Sequence, residues 1–76
     1  MDFIKFLQRE VSDSRAVIDS EHNPSMVSYY IGQNEFADTL LARIKNNPQL
    51  SQTMIKYYLA GVEREIQHIK DYLDSH

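Results

Sequence analysis

Two apolar stripes with the same period run through the second and third parts of the chain. Met26, Tyr30, Gln33, Ala37, Leu40 and Ile44 form one, and Ile55, Leu59, Val62, Ile66, Ile69 and Leu73 form the other. Both advance by alternating steps of four and three, the spacing of a helix–helix seam. The Asn46-Asn47-Pro48 segment between them predicts an antiparallel hairpin that pairs Ile44 with Ile55, Leu40 with Leu59 and Ala37 with Val62. The same register sets Gln33 opposite Ile66, which makes Gln33 the buried polar residue of the seam. A buried amide without a partner costs roughly 1–3 kcal/mol. Gln33 is therefore expected to bond a backbone carbonyl, a tyrosine hydroxyl or its own copy across a two-fold axis, and so to fix register.

A thinner face precedes these stripes. Phe3, Ile4, Leu7, Val11 and Ile18 fall on one side of a first helix, and Ser14 takes the vacant place on it. Asp2 is placed to cap that helix, with its carboxylate at the positive end of the dipole. Asn23-Pro24 and Asn47-Pro48 both read as helix starts, because Asn caps well and Pro suits the first helical position. Ser51 competes as the third cap. The predicted helices are 2–19, 24–46 and 48–74, within one domain covering 1–76. The expected fold is all-α, an antiparallel three-helix bundle built on the long hairpin of the second and third helices, with the first packed across them.

Length and composition narrow the function. A single 76-residue domain buries a small core, so a partner or self-association would help it. With no cysteine there are no disulfides, thiolate ligands or cysteine nucleophiles. No apolar run approaches the ~20 residues that cross a bilayer. Met1-Asp2-Phe3-Ile4-Lys5 lacks the basic-then-apolar order of a signal peptide. A cytoplasmic location is expected, with no membrane association. The net charge of −3 argues against nucleic-acid binding. Its distribution is uneven: Glu10, Asp13, Asp19, Glu21, Glu35 and Asp38 stand against Arg15 alone, while Arg43, Lys45 and Lys56 form an acid-free basic run. Arg43 and Lys45 suit the C-terminal dipole of the second helix.

No catalytic constellation emerges, and no enzyme activity or cofactor is expected. Glu65-Ile66-Gln67-His68 has the Glu-x-x-His spacing of di-metal helical bundles. At about 100° per residue, however, His68 lies roughly 135° from the centre of the stripe, on its outer side. No inward glutamate accompanies it, so a di-metal bundle ranks below the other readings and no metal ligands are assigned. The serines fall in caps, loops or outer turns, which leaves no Ser-His-Asp set. Gly32 and Gly61 alone cannot build a phosphate-cradling loop. The five tyrosines have no basic stripe to accompany them, as nucleic-acid stacking would require.

What the seam leaves uncovered is more informative. Val27 and Ile31 lie on a flank of the second helix, with Leu41, part of which the first helix can cover. Tyr57, Ala60, Gly61, Arg64 and His68 lie on the outer side of the third. Small residues beside a Tyr admit a second backbone, and Tyr and Arg are common interface anchors. Val27, Ile31, Tyr57, Ala60, Gly61, Arg64 and His68 are therefore the candidate partner-binding residues, and a homodimer is expected.

Tyr29-Tyr30-Ile31-Gly32-Gln33 followed by Phe36-Ala37 and Leu40-Leu41 resembles a pattern in small all-helical accessory proteins of bacteriophages and prophages. The resemblance covers about twenty residues of the second helix. It implies a short non-enzymatic protein in the host cytoplasm, a regulator or inhibitor that binds a larger host or phage protein. The alternative is an acidic inhibitor that imitates nucleic acid through the Glu10–Asp38 region.

Overall fold

The computed structural model describes residues 2–76. The chain is all-α: α1 spans Phe3–Ser20, α2 Pro24–Asn46 and α3 Gln52–Ser75, with no strand among the described residues. Asp2 caps α1, its carboxylate accepting from the Lys5 amide at 3.1 Å. Asn23 caps α2, accepting from the amides of Ser25 and Met26, with Pro24 at the first position. Between these helices the Glu21 carboxylate accepts from the amides of His22 and Asn23. That clasp tightens a three-residue connection and turns α2 back along α1.

The second Asn-Pro pair behaves differently from the first. Asn47 ends α2 instead of starting α3: its amide side chain donates back to the Arg43 carbonyl at 2.8 Å. Pro48 lies in the turn that follows, closed by the Leu50 amide donating to the Asn47 carbonyl. Ser51 is the cap of α3, accepting from the Met54 amide. The helix therefore begins four residues after the predicted 48.

The bundle is built on a helical hairpin, but the hairpin is α1 with α2. These two pack along their length, and the backbone of α3 makes no comparable approach to either among the described residues. Leu7 of α1 meets Leu40 and Leu41 of α2 in the core, with Ala37 buried one turn away. The expected α2–α3 seam forms only at its turn end, where Tyr58 and Leu59 pack against Leu7, Leu40 and Leu41. Arg43 lies over the Tyr58 ring, 5.8 Å from its centroid, holding this corner by a cation–π contact. Beyond Leu59 the stripe leaves the hairpin: Val62 is half-buried, and every residue from Glu63 to His76 is exposed. The radius of gyration is 14.3 Å, against about 11 Å for a compact chain of this length, because half of α3 stands free.

A polar layer holds the α1–α2 seam. Ser14 is 2% exposed and Asn34 9%. The Asn34 amide donates to the Val11 carbonyl at 2.8 Å and to Ser14 Oγ at 3.0 Å, while Ser14 Oγ donates to the Glu10 carbonyl at 2.7 Å. Asn34 therefore takes the role expected of Gln33. Gln33 sits half-buried at the rim and donates to the Glu10 carboxylate at 3.0 Å; its expected neighbour, Ile66, is exposed.

Candidate interaction surface

The free half of α3 is amphipathic and, among the described residues, has no neighbouring helix on its apolar side. Ile66 is 46% exposed, Ile69 50% and Leu73 66%, all in register with Leu59 and Val62. Ser51 and the Tyr58–Leu59 contact anchor one end of the helix; backbone hydrogen bonds sustain the rest. Ile66 and Ile69 leave about half of their surface in water and Leu73 about two thirds, so each forgoes a comparable share of the roughly 1.5–3 kcal/mol that full burial contributes.

The stripe is continuous with apolar surface on the hairpin. Leu59 borders a shallow depression shared with Phe3, Phe6, Leu7, Phe36 and Leu40. Phe6 is largely exposed there and stacks on Phe3, with ring centroids 6.0 Å apart. A connected apolar strip thus runs from Phe6 and Phe36 through Leu59 and Val62 to Leu73. Contiguous surface of this kind marks contact sites, whereas apolar residues scattered singly do not.

The seven candidate partner-binding residues do not form one patch. Val27 is half-buried and lies seven and fourteen positions before Asn34 and Leu41, so it belongs to the side of α2 that faces α1. Ile31 is exposed on α2, whose backbone does not approach that of α3. Tyr57, Ala60, Gly61, Arg64 and His68 remain together on the outer side of α3, with Tyr57 77% exposed. A Cβ added to Gly61 would meet nothing within 4 Å, so this side is open to an approaching backbone. Ala60, Glu63, Arg64, Gln67, His68 and Asp71 border an open polar groove along it.

Glu65 and His68 are both exposed, and no cluster of three His, Cys, Asp or Glu side chains able to hold a metal occurs among the described residues. Asp13, Asp19, Glu35 and Asp38 are exposed, whereas Glu10 is engaged by Gln33. None of the three helices is long and apolar enough to cross a membrane among the described residues. Periodicity found the α3 stripe but assigned it to the wrong contact, since a period of 3.5 does not say which helix covers it. The signal that separates the two cases is the polar pair Gln33-Asn34: α1 meets both from Glu10, Val11 and Ser14, whereas the expected α3 register sets Ile66 against Gln33.

Compared with protein-family models, curated proteins and solved structures, the chain matches none.

Proposed function

We propose that this chain is a small non-enzymatic protein-interaction module, a regulator or inhibitor that acts by occupying a surface on a larger protein. The observation that carries the reading is the uncovered apolar stripe Val62, Ile66, Ile69 and Leu73 on a helix that the hairpin holds at one end only. An amphipathic helix presented in this way is a standard element of protein recognition, read out as anchors at three- and four-residue spacing. Tyr57 and Arg64 on the outer side supply residue types that anchor interfaces.

The test is site-specific photo-crosslinking in cells that express the chain, with a benzophenone amino acid at Ile69 in the stripe or at Tyr57 on the outer side. A covalent adduct with a larger protein, distinct from a self-adduct, is expected from at least one position. Absence of such an adduct from both positions, with the chain folded and abundant, would refute the reading.

A further inference from the structure

We infer that the occupant of the α3 stripe is a second copy of this chain, paired antiparallel about a two-fold axis that passes between Gln67 and His68. The inference rests on the preceding reading of the stripe as a protein contact, and it names the partner.

Three observations select this arrangement. The first is area. The accessible surface is 6240 Å², against about 4,800 Å² for a compact monomer of 8.9 kDa. The excess of about 1,400 Å² exceeds the roughly 800 Å² per partner that a stable interface buries. The second is shape. The hairpin covers the stripe side of α3 as far as Leu59, so a parallel partner would meet both hairpins at the same end. An antiparallel partner lays free half against free half and puts the hairpins at opposite ends. Its C-terminus then arrives beside Leu59, next to the depression that Phe6 and Phe36 border.

The third is charge. The two-fold centred between Gln67 and His68 packs Ile66 against Ile69 of the second copy and Val62 against Leu73. On one flank Glu63 then faces Lys70 of the second copy, and the symmetry repeats the pair. On the other flank Glu65 faces Tyr72, whose hydroxyl can donate to it. Sliding the partner by one heptad toward the hairpin sets Glu63 against Glu63 and Glu65 against Glu65. Sliding it the other way sets Lys70 against Lys70 and leaves little of the stripe paired. One register therefore satisfies both flanks. The same dimer leaves Tyr57, Arg64 and His68 outward on each copy, so the outer side is presented twice to any larger protein.

The test is light scattering on the purified full chain over a concentration series up to about 1 mM, with charge-swapped variants. The wild-type chain is expected at twice 8.9 kDa. Glu63→Lys and Lys70→Glu each set like charges together twice and are expected to weaken the dimer at least about tenfold. An equimolar mixture of the two restores both attractions and should recover dimer that neither forms alone. A parallel pair would leave Glu63→Lys dimeric, because Glu65 there meets Lys70; that result would overturn the arrangement. A wild-type chain that stays monomeric throughout overturns the second copy as partner. In that case an Ile69 photo-adduct with another protein would leave the interaction-module reading standing, whereas the absence of adducts from Ile69 and Tyr57 would remove both.

Discussion

Asn34→Ala is the substitution that most directly probes what holds the hairpin. The wild-type amide makes two short hydrogen bonds, to the Val11 carbonyl and to Ser14 Oγ, in a layer closed to water. Each bond contributes about 1 kcal/mol net, so the loss is about 2 kcal/mol, and the vacated volume brings it toward 3 kcal/mol. Ser14 keeps its donation to the Glu10 carbonyl, so no buried donor is orphaned and the cost stays in this range. Urea unfolding followed by circular dichroism at fixed protein concentration reads it directly. With a slope near 1 kcal/mol/M for so small a chain, the midpoint should fall by about 2–3 M. Ser14→Ala removes one of the two Asn34 bonds together with the serine's own bond back to the Glu10 carbonyl, which adds little within a helix, and should cost about 1 kcal/mol, less than Asn34→Ala. The apolar double variant Ser14→Ala/Asn34→Leu leaves no unpaired group and should recover most of the loss. A midpoint for Asn34→Ala within a few tenths of a molar of wild type would show that the layer does not hold the seam.

Other substitutions separate scaffold from surface. Leu7→Ala, at the centre of the core, should cost about 2–5 kcal/mol in the same denaturation assay and leave little folded hairpin. Ile69→Asp, on the free half of α3, should leave the tertiary fold of the hairpin intact by NMR while abolishing contacts made through the stripe. Gly61→Ala should raise helix stability by roughly 0.5–1 kcal/mol, since its Cβ enters open space. If a partner backbone packs at that point, the same variant should weaken the complex, which calorimetry with the captured partner would register. Binding through the apolar stripe should persist at about 1 M salt, whereas an acidic nucleic-acid mimic acting through Asp13, Asp19, Glu35 and Asp38 would lose its partner there.

The elements were more legible in the sequence than their pairing. Asp2 and Asn23-Pro24 carry local capping chemistry, and the helices start where that chemistry places them. The first-helix face was legible as well, including Ser14 on the stripe. Asn47-Pro48 carries the same letters as Asn23-Pro24 but lies after a helix that still needs a C-terminal partner. There the Asn side chain serves the Arg43 carbonyl and leaves the cap of α3 to Ser51. The candidate surface was half legible. Its outer group, Tyr57 to His68, is exposed on α3, while Val27 falls on the side facing α1 and the stripe itself was read as core.

The choice of partner for α2 turns on two adjacent residues. Gln33 and Asn34 occupy neighbouring positions on the side of α2 that any hairpin must cover, and each requires a hydrogen-bonding neighbour. In the register that pairs Leu40 with Leu59, α3 would bring Ile66 to Gln33, leaving that amide unpaired at roughly 1–3 kcal/mol, and would meet Asn34 only with the Glu63 carboxylate at the rim of the seam. Helix α1 is shorter and less apolar, yet it presents the Glu10 carboxylate, the Val11 carbonyl and the Ser14 hydroxyl at matching heights. The polar layer therefore outweighs the better apolar match and draws α1, not α3, into the hairpin. Helix α3 keeps its stripe because Glu63 and Lys70 border an all-apolar seam that asks nothing polar of its partner. A seam of that kind suits an identical helix running the other way better than it suits α2.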